Sequence, residues 1–301
     1  MAFTLTLGLI ATHQHAVLPA SARTVAAAGA AGVPAVPAVP ASAAPFYSGL
    51  GAAVGPDLGL AGQAGILVDL DAKRVLWAKD ASSRRAPASL AKMMTAMVAV
   101  DLAGLDRTLA VPDGATGVEP NLMGLAAGDL VSVREVLYGL FLDSGNDAAE
   151  TLGQAIVPRA RFIAEMNARA AAWGLRDTAF SNPSGLDDPG LVSTPYDLAV
   201  VAGHLVSGYP ALMEIAGTRS QSIPATPTHH AYAPYNLNKL LWMYPGATGL
   251  KTGFTDDAGG CVVATATRNG RRLIAVIMHS DVFFTDAARL LDYGFSTPPN
   301  S

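Results

Sequence analysis

The chain has 301 residues, 50% of them hydrophobic and only 15% charged, which is ample material for a core in one or two domains. A formal net charge of -4 carries no nucleic-acid signature. The single cysteine, Cys261, excludes an internal disulfide framework and a thiolate metal cluster.

Residues 1–22 contain an apolar run, Phe3 to Ala11, followed by small residues at Ala20 and Ala22 that resemble a signal-peptidase site. No Lys or Arg precedes the run, and it is too short to span a bilayer. An export signal is expected, with a disordered tail as the alternative. Residues 23–57 are dominated by Ala, Pro, Val and Gly, with repeated Val-Pro-Ala steps, and read as an extended linker. A folded domain is expected over 58–301.

That domain opens with a β-hairpin: Gln63 to Leu70 is strand-like, Asp71 to Arg74 reads as a turn and Val75 to Lys79 returns. Pro87 then leads into a helix whose residues from Met93 to Val100 are apolar on every side, the pattern of a buried helix. Ser89 and Lys92 stand at i and i+3 in its first turn, on one face. Ser132-Val133-Arg134-Glu135 is a capping box opening a second helix, which delivers the chain to Ser144-Gly145-Asn146. Helices follow over Asp147 to Ile156 and Arg159 to Trp173, and Thr194 with Pro195 starts another through His204. Toward the C-terminus, Leu250 to Gly253, Gly260 to Thr267 and Arg271 to Met278 are strand-like, with Asn269-Gly270 as a type I′ turn and a closing helix over Thr285 to Tyr293. Strands at both ends with helices between predict an α/β (α+β) fold: one antiparallel sheet built from both chain ends, with an inserted all-helical subdomain. The site is expected in the crevice between them.

Lysine occurs only at Lys73, Lys79, Lys92, Lys239 and Lys251 in a chain that otherwise uses arginine. Arginine cannot lose its proton, whereas a buried lysine can become a base, so Lys92 beside Ser89 suggests an activated hydroxyl. Taken alone, Ser-x-x-Lys can arise by chance, and Ser144-Gly145-Asn146 also reads as a helix-to-helix turn. Asn182 to Gly185 reads as a turn shaping the cleft wall, Cys261 as a small strand residue, and His204 and His279 as packing or strand-end residues. His229-His230 is weak evidence for a metal. Gly-x-Ser-x-Gly and His-Glu-x-x-His are absent, which argues against an α/β-hydrolase and a zincin.

Ser89-x-x-Lys92, Ser144-Gly145-Asn146 and Lys251-Thr252-Gly253, in that order, match the motif set of β-lactamases and penicillin-binding proteins. With Pro87 to Thr95, Ser144 to Ala149, Asn182 to Leu186 and Gly249 to Thr255, the stretch from about Gln63 to Phe295 resembles the D-alanyl-D-alanine carboxypeptidases, the low-molecular-weight penicillin-binding proteins. The resemblance implies a β-lactamase/transpeptidase-like fold and an extracytoplasmic enzyme, periplasmic, wall-associated or secreted. It would remove the terminal D-alanine from peptidoglycan stem pentapeptides and be inhibited by β-lactams. No metal or cofactor is required.

Ser89 would attack the carbonyl between two D-alanines, with Lys92 as the neutral amine that takes its proton and Lys251 as the cation that keeps it neutral. Ser144 would relay a proton to the leaving amine, Asn146 would hold the substrate peptide, and Thr252 and Thr255 would bind its terminal carboxylate. By resemblance, the backbone N–H groups of Ser89 and Phe254, next to Gly253, would form the oxyanion hole. Relatives tend to carry a basic residue after the last long strand, where this chain has His279-Ser280-Asp281; Lys239 is the substitute for binding the carboxylate. The chain ends soon after Phe295, without the β-rich second domain and amphipathic anchor of many relatives, so membrane association is expected only through the N-terminal segment. Alternatives are a D,D-endopeptidase, a β-lactamase and an inactive muropeptide- or β-lactam-binding module. The Glu-x-x-Leu-Asn element of class A β-lactamases is not found.

Overall fold

The computed structural model describes residues 46–49 and 55–298. The segment expected as an export signal and most of the expected linker lie outside the described residues.

Strands β1 (Ala64–Asp69) and β2 (Arg74–Lys79) form the expected hairpin, and β5 (Ala247–Thr255), β6 (Gly259–Arg268) and β7 (Arg271–Met278) form the C-terminal meander. Asn269 and Gly270, both at positive φ (51° and 80°), make the tight β6–β7 turn. The five strands form one antiparallel sheet in the order β2-β1-β7-β6-β5. Its seam joins the two chain ends: β1 pairs with β7 from Ala64↔Met278 to Asp69↔Leu273. Every residue of β1 is buried because helices cover both faces of the sheet.

On one face lies α8 (Phe283–Ser296), whose Ala287, Leu290 and Leu291 pack against Leu67, Leu273 and Ile277. The opposite face carries α5 (Pro195–Gly208), capped by the Thr194 side chain and running one turn beyond the expected end at His204. Between the two groups of strands stand α1 (Lys92–Ala103), α2 (Val133–Tyr138), α3 (Asn146–Ala155) and α4 (Arg159–Ala172), the expected helical layer. Ser132 and Glu135 form the full capping box. Gly174, at φ 72°, follows α4 as its C-terminal glycine.

Other elements depart from expectation. Strands β3 (Thr108–Ala110) and β4 (Leu130–Ser132) make a separate two-stranded sheet, and α6 (Pro210–Gly217) and α7 (Leu240–Met243) lie between α5 and β5. The fold also begins before the boundary expected at Leu58. Tyr47 is wholly buried and donates its hydroxyl to Ala199 O at 3.2 Å, while Ser48 accepts from Val75 N and donates to Lys73 O, both at 2.9 Å. Residues assigned to the linker therefore belong to the domain. Among the described residues no single helix is long and apolar enough to cross a membrane.

Candidate active site

Ser89 sits in a 3-10 turn, Ala88–Ala91, that leads directly into α1, so the helix is tighter at its mouth than a regular first α-turn. Ala88 adopts φ 49°, an uncommon conformation for a residue with a side chain, and is wholly buried. Two glycines permit the close packing around this turn. A Cβ at Gly253 in β5 would lie 2.9 Å from the Ser89 nitrogen, and one at Gly185 would lie 2.8 Å from the same atom. The Lys-Thr-Gly glycine thus serves the approach of strand to nucleophile.

Lys92, the first residue of α1, is wholly buried and its amine has three partners. It lies 2.7 Å from Ser89 Oγ, 2.6 Å from Asn146 Oδ1 and 2.5 Å from Ser184 O. The two carbonyl oxygens can only accept, and the Asn146 orientation is fixed because its Nδ2 donates to Glu119 O at 2.8 Å. A neutral amine has two N–H donors for those carbonyls and one lone pair, which then faces the Ser89 hydroxyl. Burial, and secondly the Lys251 charge, hold Lys92 well below the usual lysine range; Asp147 and Glu150 act in the opposite direction. Position, partners and charge all favour Lys92 as the base for Ser89.

Across the cleft, Lys251 of β5 is also buried and donates to Ser144 Oγ and to Thr252 O, both at 2.8 Å. Burial brings its pKa down to about 7. Ser144 is delivered by a single π-helical turn, Gly139–Asp143, and adopts the left-handed conformation at φ 58°. Such a turn between α2 and α3 reaims the chain so that Ser144 meets Lys251 while Asn146 meets Lys92. The site is a cleft of about 420 Å³ with Ser89, Ser144 and Asn146 on one side and Thr252, Gly253 and Thr255 on the other. Phe254 projects from its rim, 69% exposed, and Lys239 stands at the same cleft, at the start of α7.

The family model for D-alanyl-D-alanine carboxypeptidase matches residues 52–282. The chain belongs to the D-alanyl-D-alanine carboxypeptidase family. It is 36% identical over 247 residues to D-alanyl-D-alanine carboxypeptidase DacB2 of Mycobacterium tuberculosis, covering 79% of this chain and 84% of that relative. Identity to DacF of Bacillus subtilis is 31% over 242 residues, which span 77% of this chain but 61% of the longer relative. Among solved structures, a D-alanyl-D-alanine carboxypeptidase from M. tuberculosis superimposes with a TM-score of 0.75 at 36% identity, over 81% of this chain and 94% of that one. The Streptomyces K15 DD-transpeptidase does so with a TM-score of 0.74 at 30% identity, over 79% and 98%. The penicillin-binding fold expected from the motifs is therefore the fold of this carboxypeptidase family member.

The structure brings Ser89, Lys92 and Asn146 into one hydrogen-bonded group and Ser144 with Lys251 into a second, and sets Thr252, Gly253, Phe254, Thr255 and Lys239 around the same cleft. Other contributions to the site escaped the sequence reading. The Asn182 to Gly185 turn does more than shape a wall, because the Ser184 carbonyl is a partner of the base. Asn182 Oδ1 pins that turn by accepting from Gly185 N and Ser184 Oγ at 2.7 and 3.1 Å, and Thr95 Oγ1 donates to Pro183 O at 2.7 Å. Asp147 is the second contribution. Its buried carboxylate accepts from the backbone N–H groups of Met123, Gly124 and Leu125 at 2.8, 2.8 and 2.9 Å, fixing the segment that follows Glu119. Cys261 is a buried residue of β6, and His204 stacks on Trp173 at 3.9 Å, as packing roles require.

Proposed function

We propose that the chain is a serine-type D-alanyl-D-alanine carboxypeptidase that trims peptidoglycan stem pentapeptides. The observation that carries this reading is the wholly buried Lys92 amine, 2.7 Å from Ser89 Oγ and within hydrogen-bond distance of the acceptors Asn146 Oδ1 and Ser184 O. Ser89 Oγ attacks the carbonyl carbon between the two D-alanines as its proton passes to Lys92. Negative charge on the carbonyl oxygen is met by the Ser89 and Phe254 N–H groups. The C–N bond then breaks, and the proton that Lys92 took is relayed through Ser144, held by Lys251, to the departing D-alanine. Water cleaves the Ser89 ester and regenerates the hydroxyl. The terminal carboxylate is held by Thr252, Thr255 and Lys239, and Asn146 holds the peptide backbone on the acyl side. A β-lactam enters as an acyl donor whose leaving group stays attached.

This substrate lies outside the cytoplasmic membrane. Residues 1–22 are read accordingly as an export signal, and the chain between them and Phe46 as a tether. The test is intact-protein mass spectrometry of the full chain with a penicillin, run beside D-alanine release from a stem pentapeptide, for wild type and Ser89→Ala. A stable adduct and D-alanine release, both lost in the variant, are expected. Rapid turnover of the drug would make the chain a β-lactamase. Ligand binding without acylation would make it an inactive module.

A further inference from the structure

Thr95 stands three residues after Lys92 on α1, so the two side chains share a face of the helix. Both reach the same short stretch of chain. Lys92 Nζ meets Ser184 O at 2.5 Å and Thr95 Oγ1 donates to Pro183 O at 2.7 Å, so consecutive carbonyls of the 182–185 turn rest on one face of α1. A helical threonine ordinarily has an acceptor at hand in the carbonyl one turn back along its own helix. Here the hydroxyl leaves the helix for Pro183 instead. Thr95 and Pro183 are both buried, so the Pro183 carbonyl needs a donor and Thr95 supplies it. From the other side the turn is held by α3: a Cβ at Gly153 would lie 2.9 Å from Pro183 Cγ, and its absence makes room for the ring. Asn182 fixes the shape of the turn, donating through Nδ2 to Leu186 O at 3.0 Å, whereas Thr95 fixes its place on α1.

We infer that Thr95 is a positioning residue for the proton transfer: its hydroxyl seats the Pro183–Ser184 peptide on α1 and thereby holds the Ser184 carbonyl against the Lys92 amine. The inference rests on the reading of Lys92 as the base for Ser89. A carbonyl at hydrogen-bond distance takes one N–H of the neutral amine and so orients that amine toward Ser89 Oγ, 2.7 Å away. It also favours the ammonium over the amine, since a charged donor makes the stronger bond. Asp147 and Glu150 of α3 act in the same direction, whereas burial and Lys251 of β5 favour the amine. Removing the Thr95 hydroxyl therefore has two effects that partial loss of the fold would not produce together. The amine loses its aim, which lowers the acylation rate at every pH. The ammonium loses an acceptor, so the rising limb of the rate moves to lower pH, opposite to the effect of removing the Lys251 charge.

The experiment measures penicillin acylation of the full chain against pH, beside D-alanine release from a stem pentapeptide and urea melts, for wild type, Thr95→Val and Thr95→Ser. Valine keeps the shape and removes the hydroxyl; serine keeps the hydroxyl and removes the methyl. Thr95→Val should acylate on the order of 10- to 100-fold more slowly, with its rising limb at lower pH. Thr95→Ser should keep a near-wild-type rate and an unmoved limb, even where its urea midpoint falls as far as that of the valine variant. Equal losses in the two variants would place the effect in methyl packing, and a slowed Thr95→Val with an unmoved limb would place it in the fold; either result overturns the inference. Wild-type rates in Thr95→Val overturn it as well. Thr95→Cys, whose thiol is a weak donor, takes the place of valine should that chain not fold: it should be slower than Thr95→Ser with its limb lowered, and equal rates overturn the inference. A wild type that neither acylates nor releases D-alanine removes the reading of Lys92 and Ser89, and the inference with it.

Discussion

Gly185 passes so close to Ser89 that a Cβ on the glycine would lie 2.8 Å from the serine nitrogen. Gly185 also holds φ 87°, a conformation that side-chain-bearing residues rarely adopt. Gly185→Ala therefore has to displace either the 182–185 turn or the 3-10 turn carrying the nucleophile. Either shift moves the Ser184 carbonyl relative to the Lys92 amine. Penicillin acylation should fall on the order of 100-fold, the usual effect of a displacement of about 1 Å at a reacting group. Stability should drop by about 1–3 kcal/mol in urea melts. A variant that acylates at the wild-type rate would show that the contact does not position the nucleophile.

The two buried lysines set the pH behaviour. Lys92 acts as a base only when neutral, and Lys251 is one of the causes that keep it so. In Lys251→Met that repulsion is gone, and the rising limb of the acylation rate should move to higher pH. Stability gives an independent readout. The folded chain gives up the Lys251 proton at about 7, whereas the unfolded chain keeps it to the ordinary lysine value of 10.5. Between those values the unfolded state binds more protons, so stability rises with pH from about 7 upward and is lost as pH falls back through the window. Denaturant midpoints at pH 7 and 9 should rise more in wild type than in Lys251→Met. Parallel slopes would remove Lys251 as a titrating group.

Elements carried by short local signals were legible in advance: the Ser132/Glu135 capping box, the Asn269-Gly270 turn, the Thr194-Pro195 helix start and the three motifs. Each works within a few residues, so composition and spacing suffice. What escaped depends on tertiary placement. The Ser184 carbonyl is a backbone atom, and every residue has one, so nothing in the sequence marks it as a partner of Lys92. Phe46 and Tyr47 sit at the end of an Ala/Pro-rich stretch whose composition argued for a linker, yet Tyr47 is wholly buried against α5. Strands β3 and β4, at three residues each, are too short for alternation to reveal. The π-helical turn ahead of Ser144 follows an ordinary amphipathic run and leaves no signature of its own.

Asp147 offers a test of the scaffold apart from the reacting groups. Its carboxylate gathers N–H groups from Met123, Gly124 and Leu125, and also accepts from Ala148 N at 2.8 Å. Asp147→Ala leaves those buried donors without an acceptor, a loss of about 2–4 kcal/mol in denaturant titrations. The freed segment includes Asn121, whose carbonyl accepts from Asn146 N at 2.7 Å, so Asn146 should lose its fixed position and KM for the pentapeptide should rise. A stability loss with unchanged KM would confine Asp147 to holding the fold.

Lys239 is the cation available at the cleft beside Thr252 and Thr255, because the end of β7 runs into His279-Ser280-Asp281 and Ser280 is committed to Asp286 at 2.7 Å. It is exposed at the cleft, so its pairing with a substrate carboxylate is partly screened by solvent. Lys239→Ala should raise the pentapeptide KM by about 3- to 10-fold, equivalent to about 0.6–1.4 kcal/mol, with a smaller effect on kcat. Lys239→Arg should restore most of the loss, since the charge is kept and the fork of donors suits a carboxylate. The decisive comparison is a substrate whose terminal carboxylate is amidated. Wild type and Lys239→Ala should handle it equally poorly, because the partner of the lysine is gone from both. If Lys239→Ala still lowers activity on the amidated peptide, the lysine acts through the shape of α7, and the carboxylate is held by Thr252 and Thr255 alone.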